Sequence, residues 1–249
     1  MEAFRSCGKR EDLRRVLLVK SWSHLRRLPL FCLCLLLLLQ STVPASVAQA
    51  PVYRSVKTES MKIALTFDDG PHPHQTERIL SILDEYDVRA TFFMVGVNVR
   101  NYPDAAKAVA EAGHEIGNHT YSHRHLRNLS SQELAAELEE CDTALFEICG
   151  CRPSLFRPPE GAINSSVEDC TAQGEYRVIL WSLDTRDWER KSTEQIVRCV
   201  LSSVKAGDII LMHDYIGHHA RTAEALAILL PELLERGFEP VTVSELLEG

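Results

Sequence analysis

Seven strand-like runs separated by amphipathic helical stretches predict an α/β fold with a mostly parallel sheet. Short β-type runs alternate with segments of helical period over about 200 residues. Gly113, Gly207 and Gly237 fall just past predicted helices and just before predicted strands, where a left-handed C-terminal cap belongs. Asp68, His119, Arg157, Asp187 and His213 all follow predicted strands, and right-handed crossovers would gather those strand ends on one side. Periodicity does not show closure into a barrel. The positions of these polar residues favour it, because barrel chemistry sits at the C-terminal ends of the strands.

In chain order, the predicted strands are Lys62–Phe67, Ala90–Val95, His114–Asn118, Leu155–Arg157, Arg177–Ser182, Asp208–Met212 and Glu239–Val243. In the first, Ile63, Leu65 and Phe67 alternate before the turn signal Gly70-Pro71. The predicted helices begin with Thr76–Tyr86, carrying Ile79, Leu80, Ile82 and Leu83, and Asp104–Glu111, carrying Ala105, Ala108 and Val109. Ser131–Ile148 follows a capping-box pattern, Ser130-Ser131-Gln132-Glu133, and Thr193–Val204 and Ala223–Leu234 complete the set.

The first fifty residues read as a targeting segment. Basic residues up to Arg26 and Arg27 precede an apolar run from Leu28 to Leu39, and small residues end at Ala48-Gln49-Ala50, an A-x-A cleavage pattern. That run is shorter than the roughly 17–25 residues of a spanning helix and contains Pro29, so a secretory signal peptide is the expectation, with a retained anchor as the other reading. Residues 51–61 then read as a short polar linker and 62–247 as one catalytic domain, secreted or held at the extracytoplasmic face. Beyond residue 50 the chain has 19 basic and 32 acidic residues, about −13, which excludes nucleic-acid binding through basic patches. No obligate protein partner is inferred. Cys141, Cys149, Cys151, Cys170 and Cys199 are odd in number, so at least one thiol is unpaired, and buried core positions are expected for most.

The chemistry concentrates in two segments. Asp68 and Asp69 end the first strand, and His119-Thr120-Tyr121-Ser122-His123 sets two imidazoles four residues apart, sharing a face if the backbone there is helical. One carboxylate and two histidines form a three-ligand set for a catalytic metal, and adjacent aspartates allow one to hold the metal and the other to move a proton. Paired acids alone would be a solvated turn or a helix cap. Three further segments bring polar groups to strand ends: Phe156-Arg157-Pro158-Pro159-Glu160-Gly161, Trp181 to Trp188, and Ile209 to Asp214.

With these motifs in order (Thr66–Pro71, His119–His123, Arg157–Gly161, Asp184–Trp188, Leu211–Asp214), the chain resembles the polysaccharide deacetylases of the NodB-homology group, carbohydrate esterase family four. The resemblance covers roughly Lys62 to Leu247. It implies a distorted (β/α)7-type barrel and a divalent metal, zinc or alternatively cobalt, on Asp69, His119 and His123. It implies Asp68 as general base, held ionised and oriented by Arg157, and His213 as general acid supported by Asp187. Trp188 and Leu211 would take the acetyl methyl, and the backbone N–H of Glu160 would stabilise the oxyanion. The implied substrate is N-acetylglucosamine in a peptidoglycan or chitin-like polymer.

Glu160 departs from the bulky residue common at that position, and its carboxylate at the rim is expected to disfavour an anionic sugar. Competing readings are a xylan O-acetyl esterase or muramic delactamase-type amidase on the same site, a carbohydrate-binding pseudoenzyme, and a non-haem iron oxygenase. The bland reading of Arg157 and Asp187 is a structural ion pair. Asp184 is expected to shape its turn, His72 and His74 are candidates to line the cleft, and His114, His125, His218 and His219 are expected at the surface or in turns.

Overall fold

Each of the seven expected strands enters one continuous sheet. The structure, a computed structural model, describes residues 50–173, 176–217 and 221–249. The expected signal peptide up to residue 49, with its three cysteines, and His218 and His219 lie outside the described residues.

The strands are β1 (Val52–Tyr53), β2 (Lys62–Asp68), β3 (Thr91–Met94), β4 (Glu115–Asn118), β5 (Leu155–Phe156), β6 (Arg177–Ile179), β7 (Leu183–Asp184), β8 (Ile209–His213) and β9 (Glu239–Val241). They pair in the order β1-β6-β5-β4-β3-β2-β8-β7, with β9 also on β2, and every pairing between strands is parallel. Such a sheet needs a covering layer on both faces and so reads as apolar throughout. The fold is the α/β, distorted (β/α)7-type barrel expected, a curled sheet wrapped by helices.

The alternation in β2 sorts its residues between two layers. Ile63, Leu65 and Phe67 pack outward in the large cluster with Ile79, Leu83, Val109, Leu145 and Leu226 from the helices. Ala64 faces inward with Phe93, Leu155, Ile179, Ile209 and Val241. The next inward residues on β2 are Thr66, then Asp68, so the barrel interior turns polar towards the C-terminal ends of its strands.

The helices are α1 (Gln75–Glu85), α2 (Gly96–Asn101), α3 (Pro103–Glu111), α4 (Ser131–Cys149), α5 (Ser165–Gln173), α6 (Thr193–Leu201), α7 (Thr222–Glu235) and α8 (Val243–Glu248). The expected capping box opens α4, where Ser130 Oγ accepts from the Glu133 N–H and Glu133 returns to the Ser130 N–H. Among the described residues no helix is long and apolar enough to cross a membrane.

Several expectations need correction. The polar stretch after residue 51 is not wholly a linker: Val52–Tyr53 pairs with β6, and Ser55 bridges Asp208 at the foot of β8. The run Arg177–Ser182 leaves the ladder after Ile179 and re-enters it as β7 against β8, so β1 and β7 occupy the gap between β6 and β8. Residues from Val243 are helical because Thr242 forms a capping box with Glu245. Cys141 alone among the five described cysteines is buried; all five are free thiols. His114 is buried too, its Nδ1 accepting the Ala90 N–H at 3.2 Å, and burial with the nearby Arg89 charge brings its imidazole down to about 4.

Gly207 lies well past the end of α6, and its left-handed backbone (φ +83°) makes the turn at the sheet foot instead of a helix cap. Its N–H donates to Lys62 O at 2.7 Å and its carbonyl accepts the Val56 N–H at 2.9 Å. A Cβ there would stand 1.8 Å from Val56 O. Gly207→Ala should therefore lower the unfolding free energy by about 2 kcal/mol or more. Urea denaturation checks this, and a midpoint equal to wild type would refute the close approach.

Candidate active site

Asp68 is the last residue of β2, and its register partner on β8 is His213. Parallel partners face the same side of a sheet, so both side chains turn inward at the same height. The chain then reverses through Asp69, whose φ of +73° is left-handed, and the cis peptide Gly70–Pro71. Asn98 Nδ2 donates to Asp69 O at 2.7 Å and the Val95 N–H to Gly70 O at 2.9 Å, which ties this turn to the start of α2. Beneath it lies the fully buried Asp214, where a Cβ on Gly70 would collide. Burial pushes the Asp214 carboxyl up to about 7, Thr76 Oγ1 opposing this by donating to Oδ2 at 2.5 Å and the Asp69 charge adding to it.

The His119–His123 segment is not helical. Thr120 (φ +65°) and His123 (φ +53°) fold it into a loop that brings the rings to 5.0 Å, centroid to centroid. Buried donors and acceptors clamp it: the Thr120 N–H donates to Asn118 Oδ1, and the Ser122 N–H and hydroxyl donate to the two Glu137 carboxylate oxygens at 2.7 and 2.6 Å. The Gly96 and Val97 N–H groups hold the Thr120 and Tyr121 carbonyls.

Asp69, His119 and His123 converge, each offering one ligand atom within 4.8 Å of the others. Asp69 Oδ1 stands 3.3 Å from His119 Nε2 and 3.1 Å from His123 Nε2. Neither contact has hydrogen-bond geometry, so Oδ1 is a buried acceptor without a donor. Ligands about 2.1 Å from one cation stand roughly 3–3.5 Å apart, so these spacings fit a zinc-sized ion. His119 Nδ1 donates to Arg157 O at 2.7 Å, which leaves Nε2 as a bare lone pair, the outer-shell arrangement of a metal-ligating imidazole.

Two further pairs flank this cluster. Arg157 is wholly buried, with Nη1 donating to Asp68 Oδ1 at 2.6 Å and to Thr66 Oγ1 at 2.8 Å. Its Nε and Nη2 donate to the carbonyls of Ile179 and Leu180 at the end of β6, and its guanidinium lies 4.1 Å from the Phe93 ring centroid. Asp187 Oδ1 holds His213 Nδ1 at 2.7 Å, while Oδ2 accepts the His213 backbone N–H and the Thr222 hydroxyl, both at 2.8 Å. Burial lowers the His213 imidazole, but Asp187, with the Asp68 and Asp69 charges adding, carries it up to about 9. Arg157 and Asp187 are thus not an ion pair with each other; each supports a different reactive group.

These groups open into a cavity of about 520 Å³. Trp188, half exposed, and the buried Leu211 both line it, as does Glu160. Asp184 shapes its turn by accepting the Arg186 N–H and also reaches the cavity wall. Among the described residues, His72 and His74 do not line this cavity; His72 stacks on Tyr215 at 4.9 Å. Sequence reasoning gave no role to Thr66, Asn98, Asp214, Thr222, Arg127 and Trp181. Thr66 and Asp214 stand at the ends of two motifs and Trp181 opens a polar segment, while nothing in the sequence marked the other three.

A family profile described as polysaccharide deacetylase matches residues 55–179. A peptidoglycan-N-acetylglucosamine deacetylase of Bacillus cereus is 44% identical over 74% of this chain and 87% of its own length. A peptidoglycan-N-acetylmuramic acid deacetylase of Bacillus subtilis is 36% identical over 81% of this chain, which spans only 42% of that relative. A crystal structure of a peptidoglycan N-acetylglucosamine deacetylase in complex with 4-naphthalen-1-yl-N-oxidanyl-benzamide superposes with a TM-score of 0.76 at 33% identity, over 80% of this chain and 92% of that one.

The ligand set generates a direct test. Titration with Co²⁺ should show one equivalent bound per chain with visible d–d bands, and Asp69→Ala should weaken binding by roughly 10²-fold or more. Unaltered Co²⁺ affinity in that variant would remove Asp69 from the site.

Proposed function

The chain belongs to the polysaccharide deacetylase family, and on that premise we propose that it is a metal-dependent N-deacetylase of N-acetylglucosamine residues in peptidoglycan. The observation that carries this is the flanking of one three-ligand cluster by two separately supported groups, Asp68 on Arg157 and His213 on Asp187. A chitin-like glycan is the other polymer to test, and secretion or display on the outer face of the membrane fits a wall substrate.

Hydrolysis of an acetamide needs an activated water, relief of charge on the oxyanion and a proton for the departing amine. A divalent cation on Asp69, His119 and His123, zinc on the family resemblance, supplies Lewis acidity towards the water and the carbonyl. Asp68 takes the proton from the attacking water, and Arg157 fixes the carboxylate by occupying Oδ1, leaving Oδ2 towards the cavity. Oδ2 lies 3.8 Å from His119 Nε2, so the base borders the ligand cluster without joining it. His213, its Nδ1 engaged by Asp187, turns Nε2 to the substrate and gives its proton to the amine. Trp188 and Leu211 bound the space for the acetyl methyl, and the Glu160 N–H assists the oxyanion.

Two outcomes test the roles. Asp68→Asn should cut acetate release from an acetylated oligosaccharide by roughly 10²–10⁴-fold while metal content stays at the wild-type level; full turnover would eliminate Asp68 as base. Asp187→Asn removes the largest of the contributions that raise His213, so His213 loses its proton at lower pH, and the alkaline limb of the kcat profile should move to lower pH. A limb that stays in place or moves to higher pH would contradict His213 as the acid.

A further inference from the structure

The charged side chains lining the cavity are, with one exception, already engaged. Asp68 is held by Arg157, His213 by Asp187, and Asp69 lies between His119 and His123. Asp184 accepts from its own turn. Glu160 Oε1 is 3.0 Å from His125 Nδ1, so the carboxylate expected to repel an anionic sugar has a donor beside it. The exception is Arg127, which lines the same cavity and whose side chain makes no hydrogen bond or ion pair among the described residues. It belongs to a 3-10 turn, Leu126–Asn128, pinned on both sides by the buried Leu126 and Leu129. The backbone is therefore fixed while the guanidinium is exposed at the cavity mouth.

We propose that Arg127 is a specificity residue that binds a carboxylate on the sugar unit next to the N-acetyl group being hydrolysed. A guanidinium presents parallel N–H donors that match a carboxylate in a bidentate pair, and a neutral glycan offers no equivalent acceptor. This cation also stands out against a chain of formal net charge −8, which attracts no anion as a whole; recognition of an acidic unit has to be local. Trp181 and Trp188, which also line the cavity, supply apolar faces for the sugar ring itself. The preferred substrate is accordingly an acidic glycan. Its carboxylate is carried either by a lactyl ether, as on muramic acid free of peptide, or by a uronic acid. This rests on the deacetylase reading above.

The test uses the full zinc-loaded chain and four tetrasaccharides: neutral oligo-N-acetylglucosamine, alternating N-acetylglucosamine and N-acetylmuramic acid, the methyl ester of the latter, and alternating N-acetylglucosamine and glucuronic acid. Wild type should favour one acidic substrate over the uncharged ones in kcat/KM, and which acidic substrate it favours identifies the carboxylate. Arg127→Gln should lower the acid-over-ester ratio by roughly two- to fivefold, through KM, as expected for an exposed charge pair. Arg127→Lys should restore part of it, and added salt should shrink the wild-type preference. An unchanged ratio in Arg127→Gln, or equal losses on acid and ester, overturns the proposal while leaving deacetylation intact. Acetate release from none of the four overturns the deacetylase reading itself.

Discussion

One buried guanidinium holds the architecture and the chemistry together. Arg157 enters the barrel interior just above the apolar layer of Ala64, Phe93, Leu155, Ile179 and Ile209, a place where an isolated charge is not tolerated. It is tolerated because four N–H donations leave in three directions: to Asp68, to Thr66, and to the two carbonyls where β6 leaves the ladder. The last contacts hold the chain as it crosses towards β7, at the opening of the curled sheet. The first fixes the Asp68 carboxylate. A further contact is made by the Arg157 backbone, whose carbonyl sets the tautomer of His119. A single residue thus stabilises the barrel where it is least continuous and aligns two of the groups around the cavity.

Parallel pairing explains why a carboxylate and a protonated imidazole can share one small site without neutralising each other. Asp68 and His213 are register partners on adjacent strands, close enough for the Asp68 charge to help keep His213 protonated. Each is tied on its far side to a different partner from a different strand end, Arg157 after β5 and Asp187 after β7. Opposite charges side by side would otherwise collapse into a direct contact. The separate anchors keep them apart and leave the space between them for substrate.

The parts legible in the sequence were those with a local signature. Alternation at Ile63, Leu65 and Phe67 located the central strand, and the Ser130–Glu133 pattern located the start of α4. The five motifs brought together every residue expected at the site, and all of them border or support one cavity. Features set by contacts distant in the chain were not legible. Val52–Tyr53 and Leu183–Asp184 are too short to show a period and become strands only because an edge is available to them. The spacing of His119 and His123 suggests a helix, but left-handed Thr120 and His123 bring the rings together through a loop, and no periodicity announces a positive φ. Asp214 looks like a spare acid after His213; only the fold places it beneath Gly70.

That loop has a consequence for how the protein balances robustness against precision. Asp69, Thr120, His123 and Glu160 all occupy left-handed backbone without being glycine, and Thr120 is β-branched, the least suited of the four. Each such residue costs about 1–3 kcal/mol unless its surroundings hold it there. Glycine at these positions would relax the backbone, yet at Asp69 and His123 it would delete a member of the three-residue cluster, and at Thr120 the hydroxyl that accepts the His123 N–H. Selection for hardiness alone would therefore rewrite the very turns that aim these side chains. Of the seven non-glycine residues in left-handed backbone among the described residues, these four belong to segments around the cavity and the others are Asp87, Arg186 and Arg190; tolerance to change around the cavity must come from the apolar layers below.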